Sequence, residues 1–500
     1  MDSTPDALGR IPDEGRTTPA LDTALPRLRP GALNLFETIS GTLANLAPAE
    51  GIFLSITLVV AAMGSRSPWA FLIAGIAILA AGNTMAEFAK VMPSAGSFVT
   101  FIANGFGATS RRNGTFLAGV AFYLLLLCYP ITVAAVVAFL GSWVASLFNW
   151  TQPWVWLLIT LLAVAVSTPL LLRGVVISTV VSFILFCSEV LGLLVLSIGV
   201  FILAGSHLSA PLHDVGGSPG GFQGLVGVTF ALAVSGYIGW ENSGPLAEEA
   251  EHPQRAIPLT IFISIAIIAL IYLISSWGAV AGFAAWKGGA KGVNFLGSFS
   301  EAAPYLDLAK HYLPWFAWFI GLIGYTSSQA CYLAAANSQT RIIFNGAREG
   351  LLPSWAAAVT PKTRVPWVAV TIYLVLTAVI VLIGYVALKG NAVSVFSDEA
   401  GIGTVPILFV YLLANIALII YMLRARRDLF NPFQHLIVPI IGILVLGYGI
   451  YEFVQPNQPA PGNIFWIYIL LLLVIAVVGT LIAMTRNPRA IEHVGTVLAE

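Results

Sequence analysis

The sequence predicts an all-α integral membrane protein of about twelve transmembrane helices, and three observations carry that expectation. Of 500 residues, 58% are hydrophobic and only 9% are charged, whereas soluble domains carry roughly 25% charged residues. So little polar side chain cannot cover a globule in water, and a bilayer has to serve as the solvent. The apolar residues also fall into runs long enough to cross about 30 Å of hydrocarbon, which takes about 20 residues at 1.5 Å of rise each. Finally, with the N-terminus inside, 18 of the 23 Lys and Arg residues lie on the cytoplasmic side. Only Arg66, Lys287, Lys291, Lys310 and Lys389 remain outside, the asymmetry that the positive-inside rule requires of a correct span count.

Taken in order, residues 1–30 are polar, contain five prolines and lack an apolar core. They are unlike a secretory signal peptide and read as a disordered cytoplasmic tail. Spans are expected at 33–63, 68–90, 114–147, 154–172, 175–204, 222–250, 256–285, 313–345, 366–387, 398–423, 433–454 and 463–485. They group as 31–204 (the first five), 222–423 (the next five) and 433–485 (the last two), followed by a cytoplasmic C-terminal tail, 486–500. The longest connection, 286–312, suits an extracellular loop helix and is too short for a soluble domain.

With 23 basic and 23 acidic residues the net charge says nothing about a nucleic-acid partner, and the absence of basic runs argues against one. Cys128, Cys187 and Cys331 lie in apolar runs, read as small buried hydrophobes and define no disulfide framework. The six histidines show no metal-binding spacing. No metal, cofactor or prosthetic group is expected, and no loop carries the constellation of carboxylates or histidines that a membrane-embedded enzyme would need.

Two spans contain residues a lipid-facing helix would not choose. The first includes Asn45, Ala47, Pro48, Ala49, Glu50 and Gly51. Pro48 removes a backbone donor and clashes with the preceding turn, and Glu50 costs about 2.5 to 3.5 kcal/mol at mid-membrane on insertion scales. The sixth repeats the pattern with Ser235, Gly236, Tyr237, Ile238, Gly239, Trp240 and Glu241. Helix interruptions at corresponding places in two halves point to a transporter site. Amides at a half-helix start suit a carboxylate, carbonyls at a half-helix end suit an ammonium, and an amino acid zwitterion offers both. The competing reading is a pair of kinks used for packing.

Three polar stretches resemble the amino acid, polyamine and organocation permease superfamily: Ala86 to Phe98, Tyr237 to Pro258, and Ala336 to Trp367, with its Ala-Arg-Glu-Gly-Leu-Leu-Pro exit. The resemblance runs from residue 33 to about 485. It implies a leucine-transporter-like fold, a five-plus-five inverted repeat with two C-terminal helices added. It also implies a secondary active transporter of amino acids or related amines, working by alternating access, proton-coupled or as an exchanger, in the plasma or inner membrane with both termini cytoplasmic.

On this layout the two interrupted stretches line the substrate site, with Tyr123 or Tyr129 of the third span and Tyr325 or Ser328 of the eighth as walls. One departure stands out: Ala47-Pro-Ala-Glu-Gly51 replaces the family's Gly-rich first break. Glu50 either points away and pairs locally or meets an amine, which would favour cationic substrates. Glu189, alone among the apolar residues of the fifth span, is the expected coupling group, with Glu241 as a second carboxylate; a structural acceptor is the bland alternative. Ser327 and Ser328 are suited to a sodium shell, so the coupling ion is a proton or sodium. Arg255, Arg341 and Arg348 face Glu87, Glu248 and Glu249 across the cytoplasmic loops, either as gate-closing ion pairs or as solvated charges. A polyamine or organic amine transporter, and a receptor that binds nutrients without moving them, are the other functional readings.

Overall fold

The computed structural model describes residues 26–215, 230, 233–234, 236–298, 303–455, 462–488 and 490–498. The tail 1–25, most of the entry to the sixth span and Ser235 lie outside the described residues. Among the described residues the fold is helical, with one isolated bridge between Leu33 and Ala250. Nine helical stretches among them are long and apolar enough to cross a membrane.

The first span is two helices, α1 (Leu35–Asn45) and α2 (Pro48–Met63). A reciprocal capping box starts α1: Asn34 Oδ1 accepts from Glu37 N at 2.9 Å while Asn34 N donates to Glu37 Oε2 at 2.8 Å. Helices α3 (Ser67–Val91), α4 (Phe98–Gly107), α5 (Arg111–Leu147), α6 (Pro153–Arg173) and α7 (Val175–Leu203) complete the first half. Of these, α4 is only 10 residues long, too short to span, and packs on α5. The sixth span leaves its break through a 3-10 segment, Trp240–Leu246.

Beyond it come α8 (Pro253–Lys287), the short α9 (Ala290–Gly297) and α10 (Pro304–Tyr312), α11 (Ala317–Arg348), α12 (Trp367–Ala387) and α13 (Ala392–Arg424). The loop helix expected within 286–312 is thus two short helices, α9 and α10. The chain ends with α14 (Val438–Val454), α15 (Phe465–Arg486) and the single turn α16 (Ala490–His493). The most extensive pairings are α5 with α13 and α3 with α8. With 37 residues, α5 is about 55 Å long and exceeds the hydrocarbon thickness, so it crosses tilted or protrudes. It touches α4, α6, α11, α12, α13 and α15, and forms the central post of the scaffold.

After α15 the C-terminal segment folds back onto the face that carries Pro26, called here the termini face. Arg111 donates to the carbonyls of Ile491 (3.1 Å) and Val494 (2.7 Å), Asn104 Nδ2 to Gly495 O (2.8 Å) and Ser94 Oγ to Val497 O (2.6 Å). Ala490 and Val494 are fully buried. The return ends at Glu349, the residue after α11, whose Oε1 accepts from Val497 N at 3.4 Å.

Burial pushes the Glu349 carboxyl up to about 7, opposed by hydrogen bonds from the tail backbone and Asn345 and by neighbouring Arg348. A carboxyl whose value rises on folding contributes stability that is complete below about 4.5 and is lost as pH climbs through about 7. Hydrogen exchange at 490–497, corrected for its intrinsic pH dependence, is therefore expected to increase between pH 5 and pH 8. Glu349→Gln should flatten that response; the same rise in the variant would remove Glu349 as its cause.

Candidate functional site at two broken helices

The first break follows from Pro48. Its ring clashes with the carbonyl four residues back, so a helix cannot run through it, whereas at the first helical position its missing N–H costs nothing. Accordingly α1 stops at Asn45, Ala47 adopts φ 41° in the left-handed region, and Pro48 opens α2. The amides freed at the start of α2 are taken by side chains from two other helices. Ala49 N donates to Glu189 Oε2 of α7 at 3.1 Å, and Glu50 N to Ser327 Oγ of α11 at 3.0 Å. At the end of α1, Asn45 O accepts from Cys331 Sγ at 3.1 Å.

The second break pivots on Gly239, at φ 116°, where a side chain would be strained. A Cβ there would also lie 2.4 Å from Asn45 Nδ2. That close approach lets Asn45 Nδ2 donate to Gly239 O at 3.3 Å, joining the two breaks directly. Glu241 folds back so that Oε2 accepts from Gly239 N at 2.8 Å, while Oε1 accepts from the Tyr129 hydroxyl of α5 at 3.1 Å. Two tyrosines hold the approach to this turn: Tyr272 of α8 donates to Gly236 O at 2.6 Å, and Tyr237 donates to Phe71 O at 2.7 Å. Their rings meet edge to face at 5.2 Å.

The residues from Asn45 to Gly51 and from Gly236 to Glu241 thus converge. The walls differ from expectation. Tyr129 reaches the break, but Tyr123 donates to Leu351 O at 2.6 Å, beyond the end of α11, away from it. Ser327 is the serine that reaches α2, whereas Ser328 bonds Gly324 O within its own helix at 3.2 Å. Tyr325 is half-buried, and none of the hydrogen bonds at the breaks involves it. Glu50 does not pair locally: it is 6% exposed, and no described residue hydrogen-bonds its carboxyl group.

Cys331 is a donor to the break and not merely a small hydrophobe, and Cys187 is exposed and not buried. Sequence reasoning missed Tyr272 altogether. Its only signal was a polar patch, Tyr272 with Ser275 and Ser276, inside the apolar seventh span.

Three carboxyl groups, Glu50, Glu189 and Glu241, surround the breaks at 6%, 0% and 1% exposure. The buried guanidinium groups among the described residues, Arg341 and Arg348, pair with Glu249 and Glu248 and hydrogen-bond none of the three. Arg341 is 14 residues beyond Ser327 on α11, about 21 Å along the helix axis. A site of carboxyls and aromatic rings without a cation suits a bound ammonium.

Among the described residues, contacts lie across the approaches to the breaks on both sides. Away from the termini face, Phe53 of α2 stacks on Trp143 of α5 (5.2 Å) and on Tyr305 of α10 (4.8 Å). On the termini face, Leu33 exchanges backbone hydrogen bonds with Glu249 and Glu251, tying the entry of the first span to the exit of the sixth. Arg341 then grips Glu249 with Nε–Oε2 2.8 Å and Nη2–Oε1 3.3 Å, and Arg348 grips Glu248 with Nη1–Oε2 3.0 Å. Glu87 pairs instead with Lys90 (2.6 Å) and His435 (3.1 Å), and Arg255 is exposed.

A multi-pass helical bundle in which two interrupted helices meet in its buried interior defines a membrane carrier of the broken-helix class. The amino acid permease family model matches residues 33–478. The chain belongs to the amino acid permease family. It is 28% identical over 246 residues to an uncharacterized amino acid permease of Bacillus subtilis, covering 48% of this chain and 54% of that protein. It is 27% identical over 317 residues to the vacuolar cationic amino acid transporter 4 of Arabidopsis thaliana, covering 59% and 49%. With the branched-chain amino acid permease BcaP of Bacillus subtilis it shares 24% over 444 residues, 86% and 88% of the two chains. The matched region therefore spans about half the length of the first two relatives and most of the third.

Two substitutions probe this geometry. A Cβ at Gly51 would lie 2.3 Å from the Tyr272 hydroxyl, so Gly51→Ala should displace that ring, break its bond to Gly236 O and cost about 1 to 3 kcal/mol. Tyr272→Phe removes the clashing atom. Thermal melts should therefore find the double variant close to Tyr272→Phe alone, and simple additivity would contradict the contact. Arg341→Met leaves Glu249 buried without its partner, an expected loss of ~3 to 5 kcal/mol that Glu249→Gln in the same chain should partly restore.

Proposed function

We propose that this chain is a secondary active transporter that moves amino acids across the cell membrane by alternating access around the paired breaks. The observation that carries the reading is the Asn45–Gly239 contact, which puts two interrupted helices and three buried carboxyls at one place. On this reading residues 31–204 and 222–423 are the two inverted repeats, 433–485 is an addition, and both termini are cytoplasmic. Helices α1, α2, α3 and α8, with the sixth span, rock against a scaffold built on α5, α7, α11 and α13. The Arg341–Glu249 and Arg348–Glu248 pairs form the inner gate and the Phe53 stack the outer one. The names of the relatives, for branched-chain and for cationic amino acids, support amino acid substrates, and the cation-free, carboxyl-lined site favours those with an additional or prominent ammonium.

Glu189 is the proposed coupling group, because it belongs to a scaffold helix yet bonds the moving half-helix. A proton on it weakens a charge-assisted hydrogen bond and so links ionisation to the position of α2. Sodium coupling is the second reading, favoured by the Ser327 hydroxyl beside the same half-helix.

Purified protein in proteoliposomes, offered labelled lysine and leucine, tests both parts. Uptake is expected to rise severalfold with an inward proton gradient and to be indifferent to sodium. Stimulation by sodium alone would transfer the coupling role to a sodium site, and uptake driven only by substrate on the opposite side would make the protein an exchanger. Glu241→Gln, which weakens the turn at Gly239, should depress uptake of either substrate by tenfold or more.

A further inference from the structure

The start of a half-helix is a place where a substrate carboxylate is held by main-chain amides. In this chain that place is filled. The first residue of α2 is Pro48, which has no N–H, and Gly51 N is already bonded to Ala47 O at 2.9 Å. Among the first four residues of α2, Ala49 and Glu50 are therefore the ones with amides to offer. Ala49 N is held by Glu189 Oε2 at 3.1 Å and Glu50 N by Ser327 Oγ at 3.0 Å. The other oxygen of Glu189, Oε1, is fully buried and has no hydrogen-bond partner. A carboxyl group with one oxygen on a helix-start amide and the other unpartnered has the chemistry of a bound ligand carboxylate, yet it belongs to the protein.

We infer that Glu189 is a built-in stand-in for the carboxylate of an incoming substrate, so that a substrate bearing a carboxylate binds only by displacing Glu189 from the Ala49 amide. The inference rests on the transport reading above and deepens it by separating two substrate classes.

Once displaced, the Glu189 carboxylate would be left without its amide beside the substrate's own negative charge and the Glu50 carboxyl of α2. The other titratable groups facing it are Tyr272 from α8, Cys331 from α11 and Cys187 from its own helix. None of these is a cation. With the substrate's own ammonium placed against Glu50 and Glu241, the displaced Glu189 is neutralised by a proton, taken from the water on the side to which the site is open and bound to a Glu189 oxygen as that oxygen leaves Ala49 N. One proton enters with each carboxylate. An amine that lacks a carboxylate leaves Glu189 in place and binds without that proton, its ammonium facing Glu50 and Glu241.

The test measures equilibrium binding to the full-length protein in nanodiscs between pH 5.5 and 8, using matched pairs: lysine with 1,5-diaminopentane, and leucine with 3-methylbutylamine. All four amines stay charged over that range. For the amino acids, affinity is expected to strengthen by up to ~10-fold for each pH unit lowered, the limit for one linked proton. For the decarboxylated partners the change should stay within about twofold.

Glu189→Gln keeps an acceptor for Ala49 N without a titrating group, and Glu189→Ala vacates the amide; in both, amino acid binding should become pH-insensitive. Comparing the two members of a pair on the unaltered protein keeps the test decisive even if a variant folds poorly. An equal pH slope for amine and amino acid, or a slope that survives in both variants, overturns the inference while leaving the transport reading intact. Failure of every compound to bind overturns the transport reading and this inference with it.

Discussion

Inside a bilayer a polar main-chain group has no water to fall back on, so any interruption of a spanning helix has to be satisfied by the protein itself or by a cavity. The interruption at Ala47 and Pro48 is where this constraint bears hardest on the chain. Pro48 makes the break unavoidable, and once it exists two amides and a carbonyl need partners in the buried interior. Glu189, Ser327 and Cys331 supply them, from α7 and α11. The break therefore holds the first span against the scaffold while leaving the contact dependent on a few directional hydrogen bonds. Such bonds can be exchanged one for another, whereas an interdigitated apolar interface has to be unpacked.

The same logic organises the second break and sets which small residues are needed. Gly239 has to be glycine, both for its positive φ and because Asn45 lies where a Cβ would be. Gly51 has to be glycine because the Tyr272 hydroxyl lies against it on its way to Gly236 O. Two tyrosines, an asparagine and a glutamate replace the hydrogen bonds that a continuous helix would have made. The main-chain amides at the two breaks are thus held by the protein's own side chains, and a ligand that needs them enters by competing with internal partners. That shifts the energetics of binding from gross contact formation to the difference between two sets of hydrogen bonds, which is small and readily reversed.

This distinction also marks what the sequence could and could not convey. Hydropathy located the spans that lie among the described residues to within a few residues, because it is a one-dimensional property of a bilayer-crossing chain. Pro48 and the glycines around Tyr237 were visible as misfits within apolar runs. What they would bond to was not, since Glu189 is 140 residues from Ala49 and Ser327 is 277 from Glu50. The choice of Ser328 over Ser327 was a matter of one residue, about 100° around a helix, and without a neighbour to define the face either serine was equally eligible. Tyr123 and Tyr129 stand six apart on a 37-residue helix. Which of them lay at the depth of the breaks depended on the tilt of α5, a property of packing. Tyr272 was hidden because one hydroxyl in a long apolar helix barely alters its pattern.

The placement of charge along α11 connects the buried site to the termini face. Its first half offers uncharged hydroxyls and a thiol to the break, and its last turns carry Arg341 and Arg348, each paired with a glutamate from the exit of the sixth span. One rigid helix therefore touches the first span at its break and the sixth span beyond its own. A guanidinium–carboxylate pair buried in this way is costly to pull apart, while the hydroxyl and thiol contacts at the break are individually weak. The strong contacts lie towards the termini face and the weak ones at the break. A helix graded in this sense allows the bonds at the break to rearrange without parting the ion pairs.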